Sequence, residues 1–335
     1  MQVGKQSISF ENPPVIEAAA SVAGAKEGEG PLGKLFDVVE DDPMFHMNTW
    51  EEAESNMQTM TLAQLFSKSK YTKEDIRYLF AGDLLGQLIA TSFGVEEYEI
   101  PLFGLYGACS TFGESMALGA MTVAAGYADR VIAMASSHFA SAEKQFRFPL
   151  EYGNQRPLSA TWTATGCGAV IIGNGTGKNR ISGITTGKIA DYGVKDSMNM
   201  GACMAPAAAE TIATHFKDFG IQPDYYDMIF TGDLGYVGKT IITDLLKEKG
   251  YDISSNYSDC GIELFDQQTQ DTHSGGSGCG CSAITFTSYI LRQMDKKIWK
   301  RVLLVPTGAL LSTVSFNEGK SVPGIAHAVV VENCH

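Results

Sequence analysis

Apolar and polar residues alternate along this chain in blocks that predict an α/β fold. Residues 61–70, "TLAQLFSKSK", place apolar side chains at helical intervals and predict an amphipathic helix. The following block, 71–84, predicts a short turn capped by Thr72 and then a buried strand. Residues 1–60 show no clear period and are rich in Gly and Pro, so we expect them to form an extended, irregular segment that covers the core.

Four blocks of the first half recur in the same order in the second half. For example, the strand and turn "YLFAGDL" are matched by "MIFTGDL". The matched blocks are 74–87 and 224–238, 107–121 and 278–294, 128–138 and 299–309, and 165–174 and 325–333. Because four matches in register are hard to obtain by chance, they predict a duplicated fold with halves at 61–178 and 179–335. The stretch "GTGKN", Gly175 to Asn179, is the expected linker.

The composition narrows the class of protein. With 335 residues, 44% of them hydrophobic and 19% charged, the chain is long enough for two globular domains with a sizeable core. The net charge of -13 argues against a general nucleic-acid-binding protein, because no basic face is available to neutralise phosphates. No apolar run reaches the ~18–20 residues that cross a bilayer, and no signal peptide opens the sequence, so any membrane association is expected to be peripheral.

Cysteines supply the first candidate chemistry. Their number is odd, seven, which in a long chain favours reduced thiols over a disulfide framework. Cys279 and Cys281 form a C-x-C pair without a second pair at zinc-ligand spacing, so we predict neither a metal site nor a cofactor. Cys109 follows an apolar strand and opens a helix, whose N–H groups and dipole are expected to stabilise a thiolate. A small buried packing residue is the alternative interpretation of Cys109.

A glycine-rich run opens the counterpart helix of the second half. In "SGGSGCGCS" (274–282), the backbone N–H groups around Gly276 and the hydroxyl of Ser277 predict a nest for a ligand carboxylate. Close packing of helix on sheet would demand the same glycines. His273, directly before the run, is either a pocket residue or a solvated loop histidine.

The longest stretch that the repeat does not require is 135–166. It places His138, Arg147 and Arg156 among aromatic residues. An arginine fork matches a carboxylate and an aromatic face suits a flat ring, so these three residues are candidate ligand contacts. A surface excursion at a subunit interface is the alternative.

Three further polar residues receive structural interpretations. Asp83 and Asp233 stand at equivalent positions of the repeat, and both are predicted to cap the helices that follow. His215 lies in an amphipathic helical block and is expected to be partly exposed.

The duplicated halves and the motif "GACSTFGES" (107–115) resemble the thiolase superfamily, over roughly residues 60–333. The resemblance implies a five-layered α-β-α-β-α fold with two mixed sheets related by a pseudo-two-fold axis, and a homodimer. It also implies that Cys109 occupies the position of the acyl-accepting nucleophile. A ketoacyl synthase-like enzyme or acyltransferase that uses Cys109 is therefore one functional alternative.

The chain departs from the superfamily pattern in its catalytic residues. Condensing members commonly carry a His in the loop after the first strand of the second half, but here that loop reads "TGDLGYVG" (231–238). Thiolases carry a second Cys near the C-terminus, and "KSVPGIAHAV" (320–329) has none. His273 stands where the family keeps its remaining His or Asn. One partner rarely suffices for carbanion chemistry, so we expect a binding pocket without condensation.

Segments such as "GPLGKLFD", "TGDLGYVG" and "GGSGCGCSA" resemble, nearly end to end, the stage V sporulation protein AD family. This resemblance implies binding of dipicolinic acid (pyridine-2,6-dicarboxylate), as the free acid or its calcium salt. It implies a role in dipicolinate uptake during sporulation and release in germination. It further implies a peripheral position at the spore inner membrane beside the membrane-embedded subunits of the SpoVA system. A scaffold subunit of that complex is a second alternative.

Overall fold

The computed structural model describes residues 1–146 and 155–334. Its strands are β1 (Gln2–Val3), β2 (Ser7–Ser9), β3 (Val15–Gly24), β4 (Val38–Glu40), β5 (Tyr78–Gly82), β6 (Leu102–Gly104), β7 (Arg130–Ser137), β8 (Trp162–Thr163), β9 (Gly166–Gly173), β10 (Asn179–Thr185), β11 (Met228–Thr231), β12 (Tyr257–Asp259), β13 (Gly276–Ser277), β14 (Arg301–Val305), β15 (Thr307–Ala309), β16 (Gly324–Ala326) and β17 (Ala328–Asn333). Its α-helices are α1 (Ala25–Gly28), α2 (Trp50–Ser67), α3 (Ile89–Gly94), α4 (Thr111–Ala124), α5 (Phe139–Phe146), α6 (Met200–Phe219), α7 (Gly235–Glu248), α8 (Cys260–Leu264), α9 (Cys279–Thr285), α10 (Leu291–Asp295) and α11 (Thr313–Asn317). A π-helical segment, Phe286–Ile290, joins α9 to α10. Short 3₁₀ turns occur at Gly33–Leu35, Lys73–Asp75, Gly86–Leu88, Glu96–Tyr98, Ala108–Ser110 and Pro223–Tyr225.

The sheet has the same strand order in each half of the described chain. In the first half, β3, β9, β7, β5 and β6 lie side by side, with the first two neighbouring pairs antiparallel and the last two parallel. In the second half, β10, β17, β14, β11 and β12 repeat this order and these directions. The two mixed sheets that the resemblance implied are joined into one 13-stranded sheet, because β10 pairs with β3 through Asn179 and Ile16. The predicted duplication is therefore confirmed, with β5, β7 and β9 equivalent to β11, β14 and β17.

Helices form layers on both sides of these sheets. Helix α2 packs on β3 and β9 from outside, and α6 packs with α7 beyond the second half of the sheet. Helices α4 and α9 contact each other and pack on β7 from the inner side, while α4 also contacts β17. The five-layered fold is confirmed. Because α4 and α9 both begin in the central layer, the residues at their first turns meet between the two halves.

The expectation that residues 1–60 form an irregular cover was wrong. Strand β3 lies at the centre of the sheet, and α2 begins at Trp50, with a capping box formed by Thr49 and Glu52. Both faces of β3 are covered by helices, so its alanine-rich sequence shows no two-residue alternation. Helix α2 buries polar side chains, including Glu54, so its apolar period is hidden. None of the described helices has the length and apolar character needed to cross a bilayer.

His215 is also not partly exposed as expected. Its ring lies fully buried, with Nδ1 2.7 Å from the Thr185 hydroxyl and Nε2 2.6 Å from the Tyr226 hydroxyl. Burial lowers the pKa of His215 to about 3, so the ring is neutral. His215 is buried by tertiary packing, because β10 and Tyr226 cover the face of α6 on which it lies. The sequence pattern of α6 alone does not show this cover.

Candidate functional site

Cys109 lies in the 3₁₀ turn Ala108–Ser110 that leads from β6 into α4. In this turn Ala108 has a φ of 52°, a left-handed backbone conformation that alanine rarely adopts. The Ala108 carbonyl accepts a hydrogen bond from the Cys279 thiol at 3.0 Å, which links the turn to the start of α9. Cys109 borders a cavity of about 360 Å³. The lining residues are Leu84, Tyr106, Ala108, Cys109, Glu143, Gln145, Phe146, Thr163, Met200, Ser277, Ala309, Leu310, Leu311, Ser312 and Thr313.

Asp233, for which the sequence analysis predicted only a helix-capping role, is the central residue of the site. Its carboxylate is fully buried and accepts hydrogen bonds from the Thr307 hydroxyl (2.6 Å), the Ser277 hydroxyl (3.0 Å) and the Gly278 N–H (3.0 Å). The charge of this carboxylate also acts on the Cys109 thiol, so the two groups lie close together. Asp233 follows β11, in the loop where the superfamily resemblance implies a catalytic His. A carboxylate therefore stands close to Cys109 where the resemblance implies a histidine.

The Cys109–Asp233 pair holds the sulfur as a thiol. Burial, and after it the charge of Asp233, raises the pKa of Cys109 well above that of an ordinary cysteine. Burial also raises the pKa of Asp233, although its hydrogen bonds act in the opposite direction. The expectation of a stabilised thiolate was therefore wrong. Loss of solvation and the neighbouring carboxylate raise the Cys109 pKa by more than the N–H groups at the start of α4 lower it. Since the thiolate is the nucleophilic form of cysteine, this environment disfavours the reactive form of Cys109.

The predicted carboxylate nest exists, but it holds a carboxylate of the protein itself. The Gly278 N–H and the Ser277 hydroxyl donate to Asp233, and the Gly280 N–H donates to the Ser137 hydroxyl at 3.0 Å. These donors are thus not directed at a ligand. The alternative explanation of the glycines, close packing of helix on sheet, also holds. A Cβ at Gly280 in α9 would lie only 2.2 Å from the carbonyl oxygen of Gly166 in β9. Gly276 pairs with β8 within the short β13 strand and is buried.

The helix-capping prediction holds for one of the two equivalent aspartates. Asp83 accepts hydrogen bonds from the N–H (2.8 Å) and the hydroxyl (2.6 Å) of Thr91 in the first turn of α3. Asp233 does not cap α7, because Asp259 already accepts the N–H groups of Leu234 and Gly235 at 2.8 and 3.0 Å. The carboxylate of Asp233 is therefore available to turn towards Cys109. The signal in the sequence was the repeat itself, which places Asp233 at the loop expected to carry the base.

Two of the candidate ligand contacts have other partners. The Nε2–H of His138 donates to the Pro43 carbonyl (2.8 Å), and its Nδ1 accepts from the Ala140 N–H (3.2 Å); burial lowers the pKa of this ring. Arg156 packs over the Trp162 ring and donates to the Asp271 carbonyl at 2.8 Å. Among the described residues, neither side chain lines the Cys109 cavity.

His273 also makes no contact with the described lining of the cavity. Nδ1 of His273 lies 2.9 Å from the Pro157 carbonyl oxygen, and Nε2 lies 3.1 Å from the Asp271 carboxylate. These partners keep the ring in the loop before β13, away from the described cavity lining. Arg147 lies outside the described residues. The stretch 135–166 nevertheless reaches the cavity through residues that the sequence analysis did not select.

Helix α5 supplies that contact. Glu143, Gln145 and Phe146 line the cavity, and the Thr163 hydroxyl donates to Glu143 at 2.8 Å. The helix is amphipathic over residues 139–146, and it starts directly after β7. A helical period in this block, rather than the presence of cations, was the signal that could have identified these residues.

Comparison with known proteins places the chain among sporulation proteins. The profile of the family described as "Stage V sporulation protein AD (SpoVAD)" matches residues 4–332. Stage V sporulation protein AD of Bacillus subtilis (strain 168) is 44% identical over 329 residues, which cover 98% of this chain and 97% of the relative.

Solved structures with the same fold have low sequence identity to this chain. Xanthomonas campestris OleA has a TM-score of 0.61 at 12% identity, over 97% of this chain and 99% of that one. The 3-oxoacyl-[acyl-carrier-protein] synthase III of Aquifex aeolicus VF5 has a TM-score of 0.58 at 12% identity, over 95% and 99%. Human mitochondrial 3-ketoacyl-CoA thiolase has a TM-score of 0.58 at 13% identity, over 98% and 100%. These similarities confirm the thiolase-like fold.

Proposed function

Because this chain belongs to the stage V sporulation protein AD family, we propose that it binds dipicolinic acid, without chemically altering it, in the cavity beside Cys109. This binding would serve dipicolinate uptake during sporulation and its release in germination. The observation that carries the proposal is the Cys109–Asp233 pair at the edge of a ligand-sized cavity.

The absence of turnover follows from the chemistry of that pair. Acyl transfer needs a thiolate, a base and donors directed at the developing oxyanion. Burial and Asp233 raise the pKa of Cys109, and the Ser277 and Gly278 donors are engaged by Asp233. An acyltransferase with the same cavity is therefore the less favoured alternative.

The cavity suits a small, flat ligand. Its volume of about 360 Å³ lies in the range of small-molecule sites, which extend from about 300 to 1,000 Å³. We place the ring between Cys109 and the aromatic side chain of Phe146. Gln145, Ser312 and Thr313 line the same space and can donate hydrogen bonds to the two carboxylates.

The charge of the lining favours the calcium salt as the ligand. Among the described lining residues, Glu143 has the only charged side chain, and it is an acid. Among the described lining residues no cation is available to replace the solvation that the carboxylates of a free dianion would lose on entry, so that transfer is costly. A calcium ion carried by the ligand offsets this charge. The calcium is thus cargo rather than a resident cofactor.

Isothermal titration with dipicolinate, with and without calcium, tests the proposal. We expect saturable binding of the 2,6-isomer, tighter with calcium, and none of pyridine-3,5-dicarboxylate. Cys109→Trp should fill the cavity and abolish binding, whereas Cys334→Trp, the same change near the C-terminus, should not. Circular dichroism of both variants verifies the fold. Binding that survives Cys109→Trp in a folded protein would move the ligand elsewhere. Acyl transfer to Cys109 from thioesters would favour the enzyme.

We further propose a homodimer that acts beside the membrane-embedded subunits of the SpoVA system. Strand β6 is a sheet edge, and Leu102 and Phe103 on it are 40% and 50% exposed. Phe93 and Tyr106 add exposed apolar surface close in sequence to this strand. An exposed edge with large apolar side chains is suited to pairing with the same edge of a second copy.

A further inference from the structure

A second cavity, of about 400 Å³, lies on the second half between α6 and the segment that follows α7. Among the described residues, three lysines line it: Lys188, Lys217 and Lys249. Thr214 and Tyr251 add hydroxyl groups to the same wall. None of the three ammonium groups belongs to an ion pair of the described chain. We call this space the lysine cavity.

The acidic groups near the lysine cavity have other partners. Glu210 lines it, but its carboxylate accepts a hydrogen bond from the Tyr192 hydroxyl at 3.0 Å. Asp218 accepts the Ser7 hydroxyl (2.9 Å) and the Gln6 N–H (3.1 Å). Three lysines against one carboxylate, Glu210, give the described lining a formal net charge of +2 in a chain of net charge -13. Such a cavity is suited to an anion with several oxygen atoms.

An apolar rim borders the lysine cavity. Ile189 and Tyr192 are 64% and 56% exposed, and they belong to the loop that carries Lys188. The hydrogen bond from Tyr192 to Glu210 places this rim against the cavity wall. The loop is fixed from its other side, where the Ser321 hydroxyl donates to Asp191 and Ala190 bridges to Gly324. The apolar side chains are therefore held outward rather than packed away.

We propose that the lysine cavity and its rim dock on an anionic phospholipid surface. The three lysines would receive a headgroup phosphate, while Ile189 and Tyr192 enter the interfacial region of the bilayer. Lysines beside aromatic and aliphatic side chains are the usual composition of such contacts. A free phosphate would leave the apolar rim without a role. Two apolar side chains also make too small a patch for a stable protein interface. The docking is independent of the Cys109 cavity.

Vesicle flotation of the full chain tests this docking. We expect binding to vesicles of phosphatidylcholine and phosphatidylglycerol in equal parts, weakened by salt, and none to phosphatidylcholine alone. Each lysine near an anionic surface contributes about a fivefold gain in affinity, so Lys217→Ala/Lys249→Ala should bind about 25-fold more weakly. Lys34→Ala/Lys296→Ala removes the same charge from other exposed positions and should bind nearly as well as wild type. Ile189→Ser should also weaken binding severalfold.

Several outcomes would overturn the docking. One is that the protein does not bind the anionic vesicles at low salt. Another is that the two double-lysine variants lose the same amount of vesicle affinity. A soluble competitor separates the sources of phosphate. If glycerol 1-phosphate binds the lysine cavity in titration and Ile189→Ser leaves vesicle binding unchanged, the cavity takes a free phosphate ester. Unchanged dipicolinate titration of Lys217→Ala/Lys249→Ala would verify that the variant is folded and that the two sites are separate.

Discussion

Replacing Asp233 with Asn tests the buried carboxylate directly. The variant keeps the side-chain volume but removes a charge and one acceptor oxygen. Its amide nitrogen would face the Ser277 hydroxyl and the Gly278 N–H, which both donate to Oδ2 at 3.0 Å in the native protein. The hydroxyl can turn and accept, whereas the N–H is left unsatisfied in a buried site. Such a group costs about 1–3 kcal/mol, and urea denaturation should report that loss in the free energy of unfolding.

The same substitution should make Cys109 more reactive. After burial, the charge of Asp233 is the largest factor that raises the Cys109 pKa. Two unit charges about 4 Å apart interact by ~4 kcal/mol at an effective dielectric constant near 20. Even a third of that energy changes the thiolate population about tenfold. We therefore expect iodoacetamide to alkylate Cys109 at least about tenfold faster in Asp233→Asn, measured by mass spectrometry of its peptide.

Asp259→Asn is the matched control. Asp259 is also a buried carboxylate, accepting the Thr231 hydroxyl at 2.6 Å and the N–H of Leu234 at 2.8 Å. It is not among the largest influences on the Cys109 pKa. The control should therefore lose comparable stability while Cys109 is alkylated at the native rate. Equal alkylation rates in wild type and Asp233→Asn would refute the role of Asp233 in suppressing the thiolate.

Three further substitutions test other parts of the structure. Burial raises the pKa of Glu54 to about 8, so the native state keeps a proton that the unfolded state releases above its ordinary pKa of 4.5. The free energy of unfolding should therefore fall as pH rises from 4.5 to 8, and Glu54→Gln should flatten that slope; parallel curves would contradict this. Phe103→Glu on β6 should convert a dimer to a monomer in sedimentation equilibrium, and a monomeric wild type would remove the proposed interface. Gly280→Ala places a Cβ 2.2 Å from the Gly166 oxygen and should destabilise the protein by about 1–3 kcal/mol in urea denaturation, whereas unchanged stability would show that the close packing is absent.

The duplicated fold could be predicted because each half repeats a local pattern. A strand followed by Gly-Asp-Leu, and a small-residue turn before a helix, are features of neighbouring residues. Strand β3 was missed because helices cover both of its faces, so small side chains replace the usual alternation. Helix α2 was placed too late because Glu54 and Gln58 are buried on it. In both cases the missing information lies in elements distant along the chain.

The site was only partly predictable for the same reason. Cys109 and Ser277 were selected from the helix starts that carry them, and the structure brings both to one cavity. Asp233 was assigned a capping role because its contact with Cys109 forms only when the two halves pack together. The cations were chosen by type, yet Arg156 is engaged by Asp271 and Trp162. A sequence pattern does not show which charges are already paired.

A crystal structure of the protein grown with calcium dipicolinate would test the central claim most directly. We predict one intact dipicolinate in the Cys109 cavity, its ring beside Cys109 and Phe146, its calcium near Glu143, and the Cys109 sulfur unmodified. An empty cavity with dipicolinate bound elsewhere, or a covalent adduct on Cys109, would contradict the proposal of non-catalytic binding at this site.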